Sequence, residues 1–145
     1  MVPIMLSPQP SDTEIGSVEM EILFESKAVS FVQAEKSFLL DGAAGVFEVR
    51  QSVDPANKQS RLLVHVETKG EPRKGLPEGL ILSLRFEVKA DATPGTDVSL
   101  KIERLSLADI SAPPKALHGT VQDEGSIEVI APEDVPVMPC FFFTH

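Results

Sequence analysis

The chain contains no tryptophan and no tyrosine, and its aromatic residues are all phenylalanine. Sugar-binding surfaces commonly use Trp or Tyr as flat amphipathic platforms, so carbohydrate recognition has no such platform to build on. A single cysteine, Cys140, excludes an internal disulfide and a cysteine-built metal cluster. Basic residues are scarce: 13 Lys and Arg against 22 Asp and Glu leave a formal charge of −9, which argues against nucleic acid and anionic membrane surfaces as partners. No apolar run approaches the roughly 20 residues that cross a bilayer, so no membrane insertion is expected. A Gly-x-Ser-x-Gly nucleophile elbow and a Gly-rich phosphate loop ahead of a helix are also missing. His118 and His145 have no second ligand at a useful spacing. Glu19, Glu21, Asp123 and Glu124 offer carboxylates, but a solvated strand face accounts for them better than a glycosidase pair. Neither enzymatic activity nor a metal or cofactor is expected.

What is present is alternation. From Gly79 to Ile102, Leu80, Leu82, Leu84, Phe86 and Val88 alternate with Ile81, Ser83, Arg85, Glu87 and Lys89, and a period of two puts the first set on one face of a strand. Ala92-Thr93-Pro94-Gly95 then supplies turn chemistry before Val98, Leu100 and Ile102 begin a second antiparallel strand. Earlier, Val2, Ile4 and Leu6 form a short strand that ends at the prolines of Ser7–Asp12. Val18, Met20, Ile22 and Phe24 face one way, while Ser17, Glu19, Glu21 and Leu23 give that strand an acidic wet side. Glu25-Ser26-Lys27 turns the chain into Val29 and Phe31. Residues 37–45 read as an irregular loop that tucks leucine under the core. Phe47 and Val49 start a further strand that ends at the Asp54-Pro55-Ala56-Asn57 turn. Leu62, Val64 and Val66 alternate with Arg61, Leu63, His65 and Glu67, and Lys69 to Glu78 is a polar loop. Leu105 and Leu107 extend the apolar pattern, Ser111-Ala112-Pro113-Pro114 breaks it, and Val121 with Gly125–Val129 closes the set.

About eight or nine short strands with no convincing amphipathic helix predict an all-β, two-sheet β-sandwich, with jelly-roll topology. A length of 145 residues suits one domain. Residues 1–130 form that expected domain, and 131–145 a Pro-rich tail ending in Cys140-Phe141-Phe142-Phe143-Thr144-His145. The tail's apolar cluster should dock on the domain or meet a partner. Met1-Val2-Pro3-Ile4 carries neither the basic nor the long apolar segment of a signal peptide, so any export signal is expected upstream in a longer parent.

The Gly79–Ile102 pattern resembles the penultimate strands of cohesin domains. Gly16 to Phe31 resembles the family's Gly-initiated second strand, with Phe24, Glu25 and Ser26 where Tyr, Asp and Pro are usual, and Gly125–Val129 resembles its closing strand. The resemblance spans Val2 to Ile130. It implies a non-catalytic module that binds a dockerin-like partner, with calcium carried by the partner, in an extracellular or envelope assembly of a bacterium linked to polysaccharide breakdown. By analogy the binding face comprises Ser17, Glu19, Leu63, His65, Glu67 and the approach to Gly79. The short, basic 69–78 loop and the lack of contact-face aromatics depart from cellulosomal cohesins. A carbohydrate-binding module with polysaccharide as its ligand, or a structural C-terminal domain of a larger envelope or secretion protein, are the alternatives, since this architecture hosts several functions. His65 fits a partner contact and an ordinary solvated strand position equally well.

Overall fold

A computed structural model of the chain describes residues 2–6, 14–54, 59–117 and 125–128. Nine strands and one short helix follow in the order β1 (Val2–Leu6), β2 (Ile15–Glu25), β3 (Val29–Lys36), α1 (Phe38–Gly42), β4 (Gly45–Asp54), β5 (Gln59–Thr68), β6 (Gly79–Val88), β7 (Asp97–Asp109), β8 (Ala116–Leu117) and β9 (Gly125–Glu128). They make two antiparallel sheets, one of three strands in the order β1-β6-β3 and one of six in which β4-β5-β2-β7-β8 run side by side and β9 joins β7. This is the expected two-sheet sandwich with jelly-roll topology.

The core lies between the sheets. Val18, Ile22 and Phe24 of β2 and Leu62, Val64 and Val66 of β5 meet Leu82 and Leu84 of β6, all nearly inaccessible to water. The predicted inward set of Val18, Met20, Ile22, Phe24, Val64, Leu82, Leu84 and Leu100 is buried, whereas Phe86 is half-buried. Its ring packs edge-on against Phe24 at 5.2 Å and Phe31 at 5.7 Å, so three strands contribute to one aromatic cluster.

Four register shifts decide which side chains enter the core, because one extra residue inverts the alternation that follows it. In β2, Ile15 faces Asp109 and Ser17 faces Ala108, so Gly16 is extra; Ile15 points inward before it and Val18 after it. In β7, Ile22 faces Ile102 and Glu21 faces Arg104, which leaves Glu103 extra and moves the inward set from Val98, Leu100 and Ile102 to Leu105 and Leu107. Val32 plays this part in β3 and Ile81 in β6.

These shifts correct the sequence reading at several points. Ile81, assigned to the wet side of β6, is 1% exposed, because the bulge lets both Ile81 and Leu82 turn inward. Val88, assigned to the inner side, is 48% exposed at the end of its strand. β6 and β7 do not pair with each other: the Pro94-Gly95 turn carries the chain from one sheet to the other. Residues 37–45 are not a plain loop. Ser37 caps one helical turn, its Oγ accepting from the Leu40 amide, and Leu40 is fully buried as expected of a tucked leucine. Gly45 permits this, since a Cβ there would fall 2.1 Å from Leu40 Cδ1. The Ser7–Asp12 loop, the turn residues Pro55-Ala56-Asn57, His118, Val121, Asp123, Glu124, Val129 and the 131–145 tail lie outside the described residues.

The β7–β8 connection is ordered by Asp109. Its carboxylate accepts from the Lys115 amide at 2.8 Å and from the Ser111 amide and hydroxyl at 3.0 Å each. The Lys115 amide foremost, then the Ser111 donors, favour the ionised form and hold this carboxyl below its ordinary value. A folded-state pKa below the unfolded one gives stability that is present above the unfolded pKa and lost as the pH falls through the folded one.

Two tests follow from the packing and the turn. Leu82→Ala should cost about 2–5 kcal/mol in urea unfolding, and Phe86→Ala less than the ~3–5 kcal/mol of a fully buried ring. A full-sized loss at Phe86 with none at Leu82 would mean a misassigned register. In acid titrations followed by unfolding, the protein should lose more stability below about pH 4 than Asp109→Asn does, since the amide cannot be protonated in that range. Matching acid profiles would contradict the role given to Asp109.

Candidate partner-binding face

The inward residues of β2 and β5 force their neighbours outward, and β4 and β7 flank them, so the far side of the six-stranded sheet is an open four-strand face. Register aligns its residues in rows. Val46, Glu67, Ser17 and Ala108 form one; Glu48, His65, Glu19 and Ser106 the next; Arg50, Leu63, Glu21 and Arg104 the third. The structure thus brings together Ser17, Glu19, Leu63, His65 and Glu67. It does not bring Gly79 to them: Gly79 opens β6 in the three-stranded sheet, opposite Leu6. The correction has a topological cause, since the 69–78 loop crosses between sheets before Gly79 is reached.

Leu63 is 40% exposed at the centre of a polar surround. Below it, His65 Nδ1 and Glu19 Oε1 are 3.0 Å apart, and His65 Nε2 lies 3.7 Å from Glu67 Oε1, which Lys69 Nζ approaches at 3.6 Å. Arg50 Nε donates to Glu48 Oε1 at 2.7 Å. These contacts are solvent-exposed, and such pairs contribute only about 0–1 kcal/mol, so a partner can recruit them cheaply. Around Leu63 the surface forms a shallow open depression of about 580 Å³, lined by Glu21, Glu48, Arg50, His65 and Arg104 among others. Among the described residues no group of three His, Cys, Asp or Glu is placed to hold a metal ion, and no helix is long and apolar enough to cross a membrane. An apolar centre ringed by charges in a shallow, open depression suits a macromolecular contact better than the enclosure of a small molecule.

Sequence reasoning missed Glu48 and Arg50 of β4 and Arg104 and Ser106 of β7. Their alternation is legible, but which strands flank β5 and β2 is a long-range fact that no local pattern carries. The basic loop also has a different meaning from the one its composition suggests. Arg73 donates through Nε to Thr68 Oγ1 at 3.2 Å and through Nη2 to the Gly16 carbonyl at 3.0 Å. The buried Thr68 hydroxyl in turn donates to the Lys74 carbonyl at 2.6 Å, and the Leu76 amide reaches the Ile15 carbonyl at 2.7 Å. Arg73 therefore straps the loop across the Gly16 bulge, beside the Ser17 and Glu67 end of the face. A Cβ at Gly16 would sit 2.7 Å from Arg73 Nη2, so the glycine leaves room for the strap.

The sandwich is that of cohesin modules. The third cohesin of ScaC from Acetivibrio cellulolyticus, solved in complex with the ScaB dockerin, superposes with a TM-score of 0.66 at 17% identity over 89% of this chain and 87% of its own. The seventh ScaB type I cohesin from Pseudobacteroides cellulosolvens gives 0.63 at 15% identity, covering 97% and 86%. CaCohA2 from Clostridium acetobutylicum gives 0.57 at 19% identity, covering 86% of each chain. No family model and no curated protein sequence matches the chain. At these identities the likeness establishes the fold, and the chain has the cohesin fold.

The strap predicts a stability difference within one loop. Arg73→Ala should cost about 1–3 kcal/mol in chemical denaturation, because it strips donors from a buried hydroxyl and a bulge carbonyl. Lys74→Ala, which changes an exposed side chain, should stay within about 0.5 kcal/mol. Equal effects at the two positions would refute the strap.

Proposed function

We infer that the chain is a non-catalytic protein-binding module of cohesin type, that its partner is a dockerin-like module, and that binding uses the outer face of the six-stranded sheet. The observation that carries this reading is Leu63, an exposed apolar side chain that the register of β4, β5 and β2 sets among Arg50, Glu21 and Arg104 on the open sheet face, with Val46 as a second exposed apolar residue at its edge. Likeness to modules solved with dockerins bound supports it. Ser17, Glu19, His65 and Glu67 belong to the proposed contact surface, together with Glu48, Arg50, Arg104 and Ser106. The proposed module extends over residues 1–130 with 131–145 as an appended tail. Its setting in this reading is an extracellular or envelope assembly that degrades polysaccharide, with any calcium bound by the partner. A sugar-binding alternative is disfavoured because the rows described above contain no Phe, Tyr or Trp.

Interface energy concentrates in a few desolvated positions, so Leu63 should dominate. In a pull-down with a panel of calcium-loaded dockerins that includes the ScaB dockerin of A. cellulolyticus, the chain should capture at least one. Leu63→Asp should lose that capture while its thermal midpoint stays nearly unchanged. Capture of none by the unaltered chain, or a folded Leu63→Asp variant that still binds, would remove the basis of this assignment.

A further inference from the structure

We propose that β4 is a self-recognition edge: two copies of the chain pair antiparallel through β4 about a two-fold axis at Val49, joining their six-stranded sheets into one. A free strand edge invites another strand, and proteins counter this with short edges, prolines, lysines and bulges. The other described edges are blunted in these ways. β1 has five residues, Pro3 among them, and a register shift after Ile4. β3 carries the Val32 bulge and Lys36. β8 and β9 have two and four residues. β4 has none of these devices: its ten residues contain no proline or lysine, and they run in unbroken register with β5 from Gly45 to Asp54. Its central charges, Glu48 and Arg50, are opposite in sign.

The far edge of β4 is open. Among the described residues β4 pairs with β5 alone, and no turn or loop hydrogen bond between backbones reaches Val46 to Asp54. Burial reflects the absent neighbour. Phe47 and Val49 pack against the core yet are only half-buried, and Val53, on the same side of the strand, is 56% exposed.

The strand is complementary to itself in one register. With Val49 opposite the partner's Val49, Glu48 stands opposite the partner's Arg50 and Arg50 opposite the partner's Glu48, while Gly45 to Val53 is paired throughout. Directly opposed residues share a face, so both Glu–Arg pairs fall on the outer surface with Cβ atoms about 4.5–5.5 Å apart. Arg50 already donates to Glu48 of its own chain at 2.7 Å, and across the axis the four groups alternate in sign. On the inner side, Val53 is covered by the partner's Gly45 directly and the partner's Phe47 diagonally. Moving the axis to residue 48 sets two Glu48 carboxylates against each other, and moving it to residue 50 does the same to two Arg50 side chains. An axis between residues would oppose inward to outward side chains, which the pleat forbids. Charge thus selects the register, and an isologous contact of this kind closes at two copies. The formal charge of −9 on each chain opposes association, but physiological salt screens it beyond about 8 Å, whereas the Glu48–Arg50 pairs act at contact.

The test is sedimentation velocity of the full chain alone over a concentration series. A contact this small should leave the chain monomeric near about 1 μM and increasingly dimeric toward about 500 μM. Glu48→Arg and Arg50→Glu each set like charges against each other and should weaken self-association at least about tenfold, with thermal midpoints nearly unchanged because both side chains are exposed. Mixed in equal amounts, the two variants again place opposite charges across the axis and should form a heterodimer as tight as the original. A chain carrying both substitutions should likewise regain self-association. A chain that stays monomeric at the highest concentration, a dimer indifferent to the single reversals, or a mixture that fails to associate would overturn the proposal. No dockerin is present in these measurements, so their failure leaves the dockerin reading standing, and failure of dockerin capture leaves the β4 pairing standing.

Discussion

The rest of the structure depends on the burial of β2 and β5 between their neighbours and the smaller sheet. Once Val18, Ile22, Leu62, Val64 and Val66 are removed from water, strand geometry leaves no freedom in where Glu19, Glu21, Leu63 and His65 go. The candidate face is thus the obligatory reverse side of the core. Each side chain on it is placed by the packing of residues one position away in sequence, with the exposed ion pairs adding little to that placement. A rigid backbone under a solvated surface is a good basis for recognition, because face residues can vary without disturbing what holds them.

Much of this was legible in the sequence wherever a strand keeps its period. Beyond the Gly16 bulge, Ser17 to Phe24 of β2, and Arg61 to Glu67 of β5, follow alternation closely, and their inner and outer sets are those read from the sequence. Legibility failed at the bulges. Leu105 and Leu107 read as an extension of the apolar pattern, and β7 does run unbroken through thirteen residues, but the extra Glu103 that changes the phase after Ile102 has no local signal. At Ile81 nothing local signals that two consecutive residues both enter the core. Pairing of β6 with β7 was the natural reading of a Pro-Gly turn, yet in a sandwich such turns also carry the chain between sheets.

The candidate site was legible to the extent that it lies on β2 and β5. Glu19 and His65 were both assigned outward, and the register then sets them side by side. Gly79 was assigned by family analogy alone, and it is the residue that the topology takes elsewhere. Arg73 shows a different limit: the sequence marks only a short, polar and basic loop, and the fold reveals that this guanidinium donates to Thr68 and to the Gly16 carbonyl.

The first and last described strands are neighbours. A Cβ on Gly125 of β9 would lie 3.4 Å from Val2 Cγ1 of β1, and these strands hydrogen-bond to β7 and β6 respectively. Tension reaching this adjoining pair would be borne by the ladders to β6 and β7. Within the six-stranded sheet, β2 separates β4 and β5, which carry Arg50 and Leu63, from β7. A module pulled through β1 and β9 would load their ladders first, and the pairing of β4 with β5 under Leu63 only after them.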